Sequence, residues 1–128
     1  MAEKKRHNYK NFKIWQFGLE IAFEISDVIL EFPKHEKYDL SSQMSRCSIS
    51  MSSNIAEGSA RTNKSFSHFL DISLGSSFEL ITQLHIVNYR KYIDKITLED
   101  AINFQNTWLN EIEMFTRFFN KSDNEVIK

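Results

Sequence analysis

The stretch from Gln43 to Arg61 reads QMSRCSISMSSNIAEGSAR, and it decides the fold that we predict. Between Leu40 and Ala56 the chain carries one formal charge, Arg46, although charged residues make up 26% of the whole sequence. A segment with so few charges is rarely fully exposed to water. We therefore predict a central helix that is surrounded mostly by other protein surfaces.

Apolar and small residues recur in this stretch at alternating steps of three and four positions, which is the spacing of one helix face. This face comprises Leu40, Met44, Cys47, Met51, Ile55 and Gly58. Serines occupy positions 41, 42, 45, 48, 50, 52 and 53. Because serine is small, we expect neighbouring helices to approach closely. Asp39 is placed to cap this helix and Gly58 to mark its exit.

The composition favours one all-α domain. The chain has 128 residues with one Pro and three Gly, which are few for an architecture of strands and tight turns. A chain of this length that folds alone buries roughly two-thirds of its unfolded surface. Eleven Phe residues exceed what such a core needs. We expect some of them to be buried at a subunit interface.

The spacing of apolar residues predicts four amphipathic helices, at about 9–31, 39–58, 63–91 and 97–120, with flexible termini. Pro33 ends the first helix, because proline removes a backbone donor and disfavours helical geometry before it. Four such helices with short connections pack most simply as an antiparallel up-down-up-down four-helix bundle.

Local signals refine the third and fourth helices. Thr62 or Asn63 opens the third. Within it, Gly75 is followed by two serines, which indicates a close crossing or a slight bend. The segment from Thr97 to Asp100 resembles a capping box for the fourth helix.

The net charge of −1 and the pI near 6.4 argue against a nucleic-acid footprint over the whole chain, which would normally be basic. Local basic runs remain: Lys4, Lys5, Arg6, His7 and Lys10 near the N-terminus, and Arg90, Lys91 and Lys95 near the end of the third helix. A basic terminal tail is more often a solvated arm than a binding site.

Cys47 is the one cysteine, so no internal disulfide forms, as expected in a reducing cytosol. The N-terminal MAEKKRHNYK lacks the apolar core of a signal peptide. No apolar run approaches the roughly 20 residues that a membrane span requires. These features predict a cytoplasmic protein that does not bind membranes.

An antiparallel hairpin of the second and third helices, turning near residues 61 and 62, would place Arg46 opposite Glu79. Gln43 and Ser76 would flank the two. We predict a structural ion pair between Arg46 and Glu79, whose disruption is costly if the pair is buried.

A second polar group follows at helical spacing near the hairpin turn. Glu57 and Arg61 can form a local pair, or Glu57 can accept backbone donors from the next helix. Both interpretations are structural. The functional alternative is a polar site formed by Asn54, Glu57, Arg61 and Lys64.

Motifs for catalysis or metal binding are absent from the sequence. His7, His35, His68 and His85 lack metal-ligand spacing. His68 and Asp71 lie one turn apart, but no placed nucleophile accompanies them. There is no phosphate loop, dinucleotide fingerprint or nucleophile elbow. We expect a non-enzymatic protein with no catalytic residues, metal or other cofactor.

Four blocks carry a family resemblance: FKIWQFGLEIAFEI, FPKHEKYDLSSQMSR, SISMSSNIAEGSAR and FSHFLDISLGSSFEL. In this order, over about residues 12 to 90, the chain resembles the four-helix-bundle family of 23S ribosomal RNA intervening-sequence proteins. NIAEG, Asn54 to Gly58, and GSSFE, Gly75 to Glu79, are the most specific strings. The resemblance implies a left-handed bundle in a ring-like homopentamer, in a bacterial family of poorly defined role.

The chain is also similar to the accessory variability protein of diversity-generating retroelements. That resemblance implies an adaptor that binds nucleic acid and a reverse transcriptase through a basic surface. Our first hypothesis is therefore an oligomeric module that binds RNA or DNA, with Arg61, Lys64, Arg90, Lys91 and Lys95 as candidate contacts. The alternative is a protein–protein interaction scaffold that does not bind nucleic acid.

Overall fold

Four α-helices make up most of the described chain. The structure, a computed structural model, describes the backbone of residues 7–127 and the side chains of residues 7–119. The helices are α1 (Lys13–Ile29), α2 (Leu40–Ser59), α3 (Asn63–Tyr89) and α4 (Lys95–Ile127), with short 3-10 turns at Tyr9–Asn11 and Lys34–Glu36. The described residues contain no strand, and the predicted all-α class is confirmed.

Each helix packs against the next in sequence, and α1 also packs against α4. These contacts close the helices into an antiparallel up-down-up-down bundle. The connections at residues 30–39 and 90–94 therefore lie together, and we call this the loop end. The turn at residues 60–62 and the start of α1 lie at the opposite, hairpin end.

The N-terminus of α4 is set by a residue other than the one expected. The Asp94 carboxylate accepts the backbone N–H of Thr97 at 2.7 Å, so that α4 begins at Lys95. This hydrogen bond lowers the pKa of Asp94. The capping box predicted at Thr97 is therefore wrong. For α3, Thr62 is the cap, because its hydroxyl accepts the N–H of Ser65 at 3.3 Å.

The two outer helices differ in length from their predictions. α1 spans Lys13–Ile29 instead of 9–31, because residues 9–11 form a separate 3-10 turn. α4 continues past residue 120 to Ile127, and residues 121–127 contain no Gly or Pro that would end it. The expected flexibility of the N-terminus concerns residues 1–6, outside the described residues.

The core forms around the predicted face of α2, all six residues of which are buried. Phe66 from α3 and Trp108 from α4 are the largest fully buried side chains. The Trp108 indole N–H donates to the carbonyl oxygen of Ile14 at 2.8 Å. This buried hydrogen bond joins α4 to α1 at a point where an unpaired indole N–H would be costly.

Serine side chains set the spacing between helices, as the sequence predicted. The Ser52 hydroxyl of α2 donates to the carbonyl of Trp15 in α1 at 3.0 Å and lies against Gly18. On the other side, Ser73 of α3 donates to the carbonyl of Met51 at 2.8 Å. Helix α2 is thus hydrogen-bonded directly to the backbones or side chains of both neighbours.

Two glycines have different environments from those expected. Gly58 is buried, and a Cβ there would lie 2.7 Å from Cβ of Phe69 and 2.8 Å from Cδ1 of Phe66. Because α2 continues to Ser59, Gly58 permits a close approach of α3 rather than ending the helix. Gly75 is exposed, and a Cβ there meets nothing within 4 Å. The predicted close crossing at Gly75 is therefore not made within the described chain.

Replacing Gly58 with Ala should separate α2 from α3, because the new methyl group would overlap Phe66 and Phe69. We expect Gly58→Ala to lower the free energy of unfolding by about 1–3 kcal/mol in urea titrations. The exposed Ser53→Ala on the same helix is the matched control and should not destabilise the protein. A Gly58→Ala variant as stable as wild type would contradict the proposed close packing.

Candidate nucleic-acid interface

The hairpin end carries Arg61 and Lys64, both exposed. Arg61 donates from Nη2 to Glu57 Oε1 at 2.9 Å, and its guanidinium lies 5.5 Å from the Phe69 ring centroid. Surface pairs of this kind contribute little to stability. His7 Nε2 lies 3.3 Å from Asn63 Oδ1 and connects the start of the described chain to this turn.

Asn54 does not join this group. Its amide nitrogen donates to the Ser50 carbonyl at 2.9 Å and to the Ser50 hydroxyl at 2.8 Å. The Ser50 hydroxyl in turn lies 2.9 Å from that of Ser76 and links α2 to α3. Asn54 therefore supports the contact between these helices, and the structure does not bring it together with Glu57 and Arg61.

The loop end contains a buried carboxylate, Glu36, whose side chain is 6% exposed. Its Oε1 accepts the Tyr92 hydroxyl at 2.9 Å and Nη1 of Arg90 at 3.0 Å. His35 Nε2 lies 3.5 Å from the same oxygen. The hydrogen bond from Tyr92, together with the charge of Arg90, holds the pKa of Glu36 below its ordinary value.

This network gives Arg90 a structural contact as well as a candidate binding role. Glu36 lies between α1 and α2, whereas Arg90 and Tyr92 lie between α3 and α4. Their hydrogen bonds therefore fasten the two connections to each other. Arg90 keeps a partly exposed side chain, at 43%, but one of its terminal nitrogens is occupied by Glu36.

Lys91 follows Arg90 in a left-handed conformation, with φ of 65°. The N–H of Tyr92 donates to the carbonyl of Val87 at 2.9 Å, which ends α3 in the manner common for a glycine at this position. Lys91 is exposed, as is Lys95, whose ammonium lies 3.9 Å from Glu99. These residues extend the basic group of the loop end.

The five candidate basic residues consequently form two groups. Arg61 and Lys64 lie at the start of α3, and Arg90, Lys91 and Lys95 lie at or beyond its end. The 27 residues of α3 separate the groups by roughly 40 Å at 1.5 Å per residue. A single chain therefore does not bring all five residues onto one surface.

Arg46 and Glu79 lie along one groove between α2 and α3, of about 370 Å³, together with Gln43, Cys47, Ser50 and Ser76. The predicted ion pair between them is not formed. Both side chains are exposed, and no ion pair within 4.0 Å joins them among the described residues. An exposed pair gains too little free energy to hold two long side chains together. Burial, and next the hydrogen bond to Glu79, raise the pKa of Cys47 to about 11.

Neither a metal-binding group nor a membrane-spanning helix occurs in the part of the chain that the structure describes. Among the described side chains, no three His, Cys, Asp or Glu residues are grouped so as to hold a metal ion. None of the helices within residues 7–127 is long and apolar enough to cross a membrane.

Sequence reasoning passed over Glu36, Tyr38, Tyr89 and Tyr92, which shape the loop end. The signal was present, because an up-down-up-down topology places residues 34–38 beside residues 89–92. The partners of Glu36, which are Arg90 and Tyr92, come from the other connection and could be identified only by considering the two connections together.

The helical topology defines a four-helix-bundle protein with basic groups at both ends. A family model described as 23S rRNA-intervening sequence protein matches residues 10–120. The chain belongs to this family. None of the curated proteins compared with the chain matches it.

A solved structure from the S23 ribosomal protein family of Bacteroides thetaiotaomicron, described as a protein with unknown function, is similar in fold. It shares 21% sequence identity with a TM-score of 0.73, over 80% of this chain and 96% of that chain. At this identity the likeness establishes the fold.

Glu36 should make the stability of the protein depend on pH. Because its pKa is lowered in the folded chain, the ionised carboxylate stabilises the fold at neutral pH, and that contribution is lost as the pH falls below 4.5 through the folded pKa. We expect Glu36→Gln to lower the urea midpoint at pH 7, and the difference from wild type to shrink towards pH 3.

Arg90→Met and the double variant provide the control for this assignment. Paired side chains give non-additive losses in a double-mutant cycle at pH 7. Strictly additive losses, or a wild-type difference that grows on acidification, would contradict the role assigned to Glu36.

Proposed function

We propose that this protein is a non-enzymatic, self-associating helical module that acts as an adaptor for RNA or DNA. The observation that carries the proposal is the outer face of α3, defined here as Ile72, Gly75, Phe78 and Ile86. The three large apolar side chains are 38%, 54% and 39% exposed. Such a face is typical of a surface that is buried against another protein.

Gly75 supports an interface at this position. A mid-helix glycine costs roughly 1 kcal/mol relative to alanine. No neighbour within the described chain requires it, because its Cβ position is open to at least 4 Å. Gly75 lies three residues from both Ile72 and Phe78, so a second subunit packing over these side chains would approach its backbone closely.

The specific assembly that we propose is the ring-like homopentamer implied by the family resemblance. Symmetric assembly repeats each basic group once per subunit, and linked weak contacts raise the overall affinity for a long ligand. This reconciles a chain of net charge −1 with phosphate binding. Arg61 and Lys64 at one end, and Arg90, Lys91 and Lys95 at the other, are the candidate contacts.

The proposal assigns no catalytic step to the polar residues. Glu36 is engaged by Arg90 and Tyr92, and Asp94 caps α4, so that the two carboxylates with lowered pKa values have structural partners. We place the protein in the cytoplasm, where a chain with one buried cysteine needs no disulfide.

The second candidate is a protein-interaction scaffold. A specific observation favours it: an apolar groove of about 350 Å³ runs between α3 and α4, with Leu70, Leu74, Leu109 and Ile112 along it. Asp71 and Glu113 border this groove. A pull-down with and without nuclease separates the two candidates, because a scaffold retains its partner when nucleic acid is removed.

Self-association is tested by substituting Gly75 with Gln, a good helix former that adds bulk at the proposed interface. Wild type should scatter light as an assembly of about five 15.1 kDa chains. Gly75→Gln should give a much smaller mass with the helical circular dichroism retained. Asn110→Gln, at an exposed site on α4, is the control and should match wild type. An unchanged mass for Gly75→Gln would sink the assigned interface.

Nucleic-acid binding is tested by fluorescence anisotropy with a structured RNA and with duplex DNA, beginning at 50 mM salt. Affinity should fall steeply as salt rises, because phosphate binding releases counterions. Lys64→Gln should weaken binding to both ligands and reduce the salt slope by about one. Arg46→Gln removes an exposed charge from the middle of the bundle and serves as the control. If wild type bound neither ligand at 50 mM salt, the adaptor function would be abandoned.

A further inference from the structure

Two tyrosines at the loop end are almost fully exposed. Tyr38, just before α2, and Tyr89, the last residue of α3, each have 87% of their surface accessible. Neither belongs to the apolar core or to the side chains packed against it. Large aromatic side chains in this position are available for an external ligand.

The backbone that carries these rings is held in place. Tyr38 follows Glu36 by two residues, and Tyr89 directly precedes Arg90. Glu36 and Arg90 are joined at 3.0 Å, and Tyr92 adds a second hydrogen bond to the same carboxylate. Tyr38 therefore lies in one of two connections that are fastened together, and Tyr89 directly precedes the other, which lowers the cost of ordering both tyrosines when a ligand binds.

Exposed lysines lie close in sequence to both tyrosines. Lys34, Lys37 and Lys91 are exposed, and the Lys37 ammonium lies 5.5 Å from the Tyr38 ring centroid. Two carboxylates nearby already have partners: Glu36 is bound by Arg90, and Asp94 accepts the N–H of Thr97. Exposed Glu31, Asp39 and Glu99 offset part of the positive charge, so base stacking is needed besides phosphate attraction.

The backbone conformation of Lys91 is unusual for a residue other than glycine. Its φ of 65° is a conformation that glycine adopts more easily than lysine. Departures of this kind concentrate at positions that serve function. Lys91 is exposed and follows Tyr89, the last residue of α3, by two positions.

We infer that the loop end binds single-stranded RNA or DNA, with unpaired bases stacked on Tyr38 and Tyr89 and phosphates near Lys34, Lys37 and Lys91. Exposed aromatic rings beside lysines match a single strand, whose bases are free to stack. A protein partner fits less well, since lysine is depleted in protein–protein interfaces. This inference rests on the proposed nucleic-acid function and specifies its ligand class and location.

The test compares a labelled, unstructured oligonucleotide of about ten nucleotides with a duplex of the same length, on the full chain at 50 mM salt. The single strand should bind more tightly. Tyr38→Ala and Tyr89→Ala should each weaken single-strand binding about fivefold or more, whereas Tyr38→Phe keeps the ring and should retain the wild-type affinity.

The Lys91→Gly variant distinguishes an effect on nucleic-acid binding from an effect on stability. Relief of the left-handed backbone should raise the melting temperature or leave it unchanged. Loss of one phosphate contact should weaken single-strand binding and reduce its salt slope by about 0.7. A destabilised Lys91→Gly, or one that binds as wild type does, would count against the assigned role of this lysine.

The outcomes distinguish the inference from the proposed function. Binding that is equal or tighter for duplex, and insensitive to both tyrosine substitutions, would overturn the inference while the adaptor function stands. No binding of either probe or of structured RNA would overturn both. Loss of a copurifying protein in Tyr38→Ala, without single-strand binding by wild type, would assign the loop end to a protein partner instead.

Discussion

The close approach of α2 to both of its neighbours is the constraint on which the remaining structure depends. Gly18 accommodates Ser52, and Gly58 accommodates the two phenylalanines of α3. The buried hydroxyl groups of Ser52 and Ser73 donate to backbone carbonyls of the neighbouring helix and so do not lack hydrogen-bond partners. A longer side chain at either glycine would push a helix outwards, and the core around α2 would lose its packing.

Once α2 is fixed, the bundle leaves its ends and its outer surface available for the proposed contacts. The loop end is closed by Glu36 and its partners, which allows Tyr38 and Tyr89 to remain in water on a fixed backbone. The outer face of α3 is not needed by the core, and it keeps large apolar side chains exposed. In this account the inner faces specify the fold, whereas the proposed ligand and subunit contacts use surfaces that the fold leaves open.

The sequence was sufficient for the fold because its apolar spacing is regular. Periodicity predicted the buried face of α2 and the order of the helices, and the serines of α2 predicted its close approach to neighbouring helices. The close crossing was wrongly placed at Gly75 instead of Gly58. Helix ends were less accurate, since Asp94 accepts the backbone N–H of Thr97 and α4 begins at Lys95, two residues before the predicted start. The site was harder to predict, because Glu36 and Arg90 are 54 residues apart and meet only through tertiary topology. The expected Arg46–Glu79 ion pair failed for a different reason. The two residues line one groove between α2 and α3, but exposed side chains gain too little free energy to stay in contact.

The central claim is that the outer face of α3 is covered by another subunit in solution. Maleimide labelling of Ile86→Cys tests it most directly, because the native Cys47 is buried with its pKa raised to about 11 and should react slowly. The account predicts slow labelling of position 86 in the assembled protein and rapid labelling of an Asn110→Cys control. Equal rapid labelling at both positions, in protein whose scattering mass is that of an assembly, would contradict it.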